Sequence, residues 1–200
     1  MKKLFILSAS IILLIATSNN KLFAQDSKHD ISLSYGVFTN DEFIDFFSDA
    51  LTAMFTLGYR TTDNIEELGG IFITYKNIAH KFNWGITAGY DAILSSDVKD
   101  KDTLVGKAYS NRITIALEGD YRYINKDFFQ MYSGLGVGYS FRNDTYKPNL
   151  GEDQEKTYNN DHFNFQLTAV GVRFGKSFGG FMELGFGYKG ILNFGLSYQF

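Results

Sequence analysis

The sequence predicts an all-β fold, an eight-stranded antiparallel up-and-down transmembrane β-barrel, and three observations carry that reading. Apolar and polar residues alternate with period two over stretches longer than soluble strands. The connections between those stretches alternate between short and long. The last stretch, with Leu192, Phe194, Leu196, Tyr198 and Phe200 on one face, alternates up to a terminal phenylalanine.

The N-terminus precedes the fold. Met1-Lys2-Lys3 is followed by an apolar run from Leu4 to Ala16, interrupted only by Ser8 and Ser10, with small Ala24 further on. This is the pattern of a signal peptide, too short to span a bilayer. Residues 1 to 24 are therefore expected to be removed on export, leaving 25 to 200 as the barrel domain. Three lysines and no acid leave with them, so the mature chain is more acidic than the full-length net charge of -3.

The first strand is read as Ile31 to Phe38, with Ile31, Leu33, Tyr35 and Val37 on the apolar face. The second runs from about Glu66 to Asn77, carrying Ile71, Ile73 and Tyr75. The third, Phe82 to Leu94, places Phe82, Trp84, Ile86, Ala88, Tyr90, Ala92 and Leu94 on one side. The fourth, Tyr109 to Tyr123, shows the alternation best. Tyr109, Ile113, Ile115, Leu117, Tyr121 and Tyr123 share one parity, opposite Ser110, Arg112, Thr114, Ala116, Glu118, Asp120 and Arg122. The fifth is Phe128 to Arg142, the sixth His162 to about Lys176, the seventh Phe181 to Tyr188 and the eighth Ile191 to Phe200. In the sixth the apolar parity moves from Phe163, Phe165 and Leu167 to Val170, Val172 and Phe174, which requires a bulge near Ala169 and turns Arg173 inward.

Connections 77 to 81, 125 to 127 and 176 to 180 are short, whereas 39 to 65, 96 to 107 and 142 to 161 are long. Lys189-Gly190 breaks the rule by being tight. In the first long connection Thr39 and Glu42 form a capping box. Phe43, Ile44, Phe47, Leu51, Met54 and Phe55 recur behind it at helical spacing, so a short amphipathic helix is expected over 40 to 56. Residues 52 to 61 could also extend strand two.

Alternation alone does not say which face meets lipid, since a soluble barrel has the same period with the apolar face inside. Glycines on the polar parity decide the matter. Gly134, Gly136 and Gly138 pack nothing on a solvated face, yet fit a narrow bore opposite large residues. Aromatic residues near strand ends, namely Phe82, Trp84, Tyr121, Tyr123 and Phe129, would form a girdle at one membrane interface. The inward charges Asp91, Arg112, Glu118, Asp120, Arg122 and Glu183 must then pair with one another, because isolated charges away from water are costly. They read either as a salt-bridged filling of the lumen or as an ion path.

Composition excludes several function classes. The absence of cysteine removes disulfides, thiolate metal sites and cysteine nucleophiles, and the acidic balance disfavours nucleic acid. Gly185-Phe186-Gly187-Tyr188-Lys189-Gly190 spells a dinucleotide fingerprint but is followed by a strand where a helix is needed. His29, His80 and His162 are too scattered for a metal, and no cofactor is expected. His162 at a strand end needs a serine from another strand before hydrolase chemistry can be entertained. The acidic segment 144 to 161 lacks calcium-loop spacing.

On these residues the sequence resembles the small outer-membrane β-barrel proteins of Gram-negative bacteria, the eight-stranded kind that includes the OmpX-like, opacity-like and OmpA-type membrane domains. The resemblance covers residues 30 to 200. It implies an outer-membrane location and lipid as the surrounding partner. The terminal run Gly195-Leu196-Ser197-Tyr198-Gln199-Phe200 is similar to the signal by which the barrel-assembly machinery recognises its clients, with Leu192 and Phe194 continuing its apolar face. The expected function is non-catalytic, a structural or surface-interaction role with a filled lumen and a surface ligand taken by the long loops. The alternatives are a channel for small solutes or hydrophobic molecules and a lipid-modifying enzyme.

Overall fold

The computed structural model describes residues 28–39, 60–79, 81–100, 103–149 and 155–200. The expected signal peptide and the expected helix over 40 to 56 lie outside the described residues, as does most of the 52 to 61 segment.

Nine strands appear among the described residues: β1 (Lys28–Val37), β2 (Arg60–Ala79), β3 (Phe82–Asp100), β4 (Thr103–Asn125), β5 (Phe129–Pro148), β6 (Lys156–Asn159), β7 (His162–Gly175), β8 (Phe178–Gly187) and β9 (Leu192–Gln199). Every pairing is antiparallel, each of the eight long strands to its successor around the ring, and β9 returns to β1 over Asp30↔Gln199 to Val37↔Leu192. Eight strands thus close into a barrel with no edge around its body. At the seam, His29 N donates to Phe200 O at 2.7 Å and Phe200 N to His29 O at 2.9 Å. The ninth strand, β6, pairs only with β5, above the point where β7 ends.

The burial pattern follows the period-two alternation with its sign inverted relative to a soluble protein. On β4, Thr114 is 1% exposed while its neighbour Ile115 is 52% exposed. Ile31, Leu33, Ile73, Ile86, Ile115, Leu135, Val137, Leu167, Leu184 and Leu196 all face outward, and the inside is lined with Asp, Glu, Lys, Arg, Asn, Gln, Ser and Thr. An apolar exterior around a polar interior has one stable solvent, hydrocarbon. From Ile113 to Tyr123 the apolar face of β4 covers ten residue steps, which at ~3.3 Å each and a tilt of about 40° is roughly 25 Å, the height of a bilayer's apolar band. The lower rim of that band is aromatic. Phe82, Trp84, Tyr121 and Tyr123 point outward, Phe82 packs against Tyr121 at 4.9 Å between ring centroids, and half-buried Phe129 against Phe174 at 5.0 Å.

The strands are longer than their apolar stretches. Residues 96 to 100 and 103 to 107, expected as loop, continue the β3–β4 hairpin, and β5 runs on through 142–148. Above the belt both faces meet water, so the alternation that reveals a strand disappears. Register shifts between Ile93 and Ser96 add a second disguise by reversing the parity. Bulges also occur where β7 changes parity, between Thr168 and Val170, which turns Arg173 inward. The result is an uneven rim. β2 to β5 rise as a wall beyond the belt, joined by β6, while β1, β8 and β9 stop at Val37, Gly187 and Leu192.

At the base of that wall the Asp144 carboxylate accepts from Arg142 Nε at 2.8 Å and Asn160 Nδ2 at 2.7 Å. Partial burial opposes its charge, but the hydrogen bonds from Arg142, Ser110 and Asn160 outweigh it and hold the carboxyl below its ordinary value. A depressed carboxyl contributes stability that is complete above the unfolded value of about 4 and lost as pH falls through the folded one. Amide exchange in β6 is therefore expected to be unchanged between pH 7 and 5 once corrected for intrinsic rates, and to quicken only below about pH 4.

Candidate functional site: the filled lumen

Hydrogen-bond register explains how the lumen is packed. One row around the barrel reads Lys76, Gly85, Glu118, Gly136, Gln166 and Gly187 on six successive strands. Long polar residues alternate with glycine, so each side chain has an empty position beside it to lie across.

Glu118 is the hub of the row. It takes Lys189 Nζ at 2.6 Å and Lys76 Nζ at 3.3 Å, and accepts from Tyr188 Oη at 2.8 Å and Thr87 Oγ1 at 2.5 Å. Lys76 also meets Asp120 Oδ2 at 3.2 Å, so that buried oxygen, which accepts no hydrogen bond by strict geometry, still has an ion-pair partner. Asp120 Oδ1 accepts from Asn83 Nδ2 at 2.5 Å and lies 3.4 Å from Arg122 Nε. Arg122 donates through Nη1 to Gln130 Oε1 at 2.6 Å, and its guanidinium lies over the Tyr132 ring. Tyr132 Oη and Asn193 Nδ2 each donate to Glu183 at 2.8 Å. Lower down, Arg173 donates to Ser197 Oγ at 2.6 Å and to the carbonyls of Gly175, Lys176 and Ser177 in the β7–β8 turn. Gln199 joins Asp30 to Gln130.

Among the described residues, five acids, Asp30, Asp91, Glu118, Asp120 and Glu183, face five bases, Lys76, Arg112, Arg122, Arg173 and Lys189. The charges balance. The space left among Asp30, Lys76, Arg122, Tyr132, Arg173 and Glu183 is about 20 Å³, room for a water or two.

Above the ions sits an apolar stopper. Phe72, Ala116 and Tyr188 form a buried cluster, with Phe72 and Tyr188 rings 6.1 Å apart. Phe72 occupies space that Cβ atoms at Gly70 and Gly89 would fill, and Tyr188 that of one at Gly136. Tyr188 and Lys189 belong to the β8–β9 turn, which folds into the bore. Gly187 at φ +143° and Gly190 at φ +89° permit the reversal, and Lys189 N donates to Gln166 Oε1 at 2.8 Å. The one tight connection at the long-loop end thus turns into the bore instead of away from it.

Of the charges named from sequence, Glu118, Asp120, Arg122 and Glu183 meet in this cluster. Asp91 and Arg112 stand apart, higher in the bore, as a bidentate pair at 3.0 and 2.6 Å that also holds Thr39 Oγ1 at 3.3 Å. Sequence reasoning did not name Phe72, Lys76, Tyr188 or Lys189 as lumen residues. The parity of β2 points Phe72 and Lys76 inward, but both sit beside outward apolar residues that mask it. The strand-five glycines Gly134, Gly136 and Gly138 make room for Asp120, Tyr188 and Ala116.

A serine does stand opposite His162. Ser140 pairs with it across β5 and β7, yet it is fully buried and its Oγ is engaged by Thr114 Oγ1 at 2.8 Å and Asn164 Nδ2 at 3.1 Å. His162 Nδ1 lies 3.1 Å from Asn160 O. The arrangement holds no base-activated nucleophile.

A closed, edge-free ring with lipid-facing hydrocarbon and a charged interior is the construction of one class of protein. The chain is an outer-membrane β-barrel. No family model and no curated protein matches the sequence. Among solved structures, the crystal structure of Ail, the attachment invasion locus protein of Yersinia pestis, is similar, with 10% sequence identity and a TM-score of 0.40. The similarity covers 87% of this chain and 97% of that one.

Proposed function

We propose that this barrel is non-catalytic and acts by structure and surface interaction, with a sealed bore that anchors the β2–β6 wall at the cell surface. The observation that supports this is the pairing of a closed lumen with an uneven rim. Glu118 and its partners touch one another beneath Phe72 and Tyr188, and the cavity among Asp30, Lys76, Arg122, Arg173 and Glu183 has room for a water or two. A channel would keep its charged groups spaced around water, whereas here they touch one another. The wall carries exposed Tyr158 and the open strand β6, features suited to partner contact.

Planar-bilayer recording tests the sealed bore. Wild-type protein is expected to give no reproducible channel openings. The Phe72→Ala, Tyr188→Ala double variant removes the stopper but leaves the salt-bridged filling beneath it, and is expected to stay silent as well. Steady openings from the wild type would replace this reading with that of a small-solute channel. Release or transfer of acyl chains from phospholipid or lipid A, followed by mass analysis, would instead establish an enzyme.

A further inference from the structure

The three short turns share a feature that the sealed bore does not use. Lys81 precedes Phe82 in the β2–β3 turn, Lys126 lies two residues before Phe128 in the β4–β5 turn, and Lys176 lies two before Phe178 in the β7–β8 turn. All three lysines are exposed, and none has an ion-pair partner among the described residues. The phenylalanines beside them are among the most exposed apolar residues on the molecule, at 74%, 62% and 64%. The other described charges at this rim are spoken for. Lys28 points across the mouth to Asp127 at 3.5 Å, and Arg173 is bound to turn carbonyls. The opposite rim has the reverse balance, its long connections richer in Asp and Glu than in Lys and Arg.

We propose that these turns form a lipid-headgroup clamp: each phenylalanine enters the acyl boundary while its lysine binds the phosphate of a net-anionic glycerophospholipid in the periplasmic leaflet. The occupant follows from continuity and charge. The ring of lysines is the direct lower margin of the apolar belt, so what meets the belt also meets the lysines. A flexible ammonium beside a membrane-seated aromatic reaches the headgroup layer without leaving it. Ammonium at a membrane surface favours anionic over zwitterionic headgroups by about fivefold per lysine. Three clamps around the rim would also hold the barrel at a fixed depth and make one orientation preferred, since the acidic rim is repelled by the same phosphates.

The single tryptophan provides the readout. Trp84 is outward and two residues from Phe82, so its fluorescence reports the lipids beside Lys81. The full chain is refolded into vesicles of phosphatidylcholine mixed with phosphatidylglycerol, with either lipid brominated as a quencher. Phosphatidylglycerol is expected to bind beside Trp84 about fivefold better than phosphatidylcholine. That preference should fall toward unity between about 0.01 M and 1 M NaCl, as the screening length drops from about 30 Å to 3 Å. Lys81→Gln should abolish it, Lys81→Arg should keep it, and Lys176→Gln, on the far side of the barrel, should leave it intact. An unchanged preference in Lys81→Gln, or one indifferent to salt, overturns the clamp. Absence of quenching by either brominated lipid overturns the placement of Trp84 in the membrane itself.

Discussion

Replacing Glu118 with alanine is expected to cost about 3 to 5 kcal/mol, the largest single-residue effect in the lumen. The carboxylate is shared by two ammonium groups, Lys76 and Lys189, and by the hydroxyls of Tyr188 and Thr87. Its loss strands two buried cations, and only Lys76 retains a second close acid, Asp120 at 3.2 Å; Lys189 is left with Glu183 at 4.0 Å. Breaking one partner out of a buried pair is worse than removing both, because the remaining charge keeps its desolvation cost. Glu118→Ala combined with Lys189→Ala should therefore recover part of the loss, and a double-mutant cycle on urea unfolding in vesicles measures how much. Additive losses would mean that the two groups are not coupled through the bore.

How far the fold could be read in advance depended on solvent. Where lipid lies on one side and the bore on the other, as along β4 from Ile113 to Tyr123, parity marked the strand, and the glycines on the polar parity of β5 together with the aromatic strand ends gave its facing. Where both sides meet water, in 96 to 100 and 103 to 107, the same β-structure left no trace in the pattern and was expected to be loop. The lumen was legible by halves. Isolated inward charges between apolar neighbours, such as Glu118 and Asp120, announce themselves. Phe72 does not, because Ile71-Phe72-Ile73 is an unbroken apolar triplet that hides which member turns inward. Its signal was indirect. Gly70 and Gly89 stand on the inward parity of two adjacent strands, and paired glycines in a narrow bore mean that something large lies over them. Tyr188 and Lys189 were hidden for a different reason. A connecting turn is normally at the surface, and no periodicity marks one that folds back into the barrel.

The second large effect belongs to the outer face, and it discriminates between lipid and water as the outer solvent. Leu117 sits near mid-height in the apolar belt, directly beside Ile86 and Val137 on the neighbouring strands. Leu117→Arg places a charge against acyl chains, at an expected cost of about 2 to 4 kcal/mol in a bilayer. Tyr121→Arg, four residues nearer the interface and the Phe82 ring, should cost about 1 kcal/mol or less, since the side chain can reach headgroups. On a soluble barrel neither order nor magnitude would hold, because an exposed leucine changed to arginine is close to neutral in water. Thr114→Arg, pointing the other way, acts through space alone: Thr114 is buried against Ser140, and no solvent choice relieves the crowding. The depth dependence of the outward pair, read from unfolding in vesicles of one thickness and again in thinner ones, therefore carries the argument. Thinner bilayers should bring Leu117→Arg toward Tyr121→Arg, and equal tolerance of both at every thickness would place water, not lipid, against the face that carries the leucines.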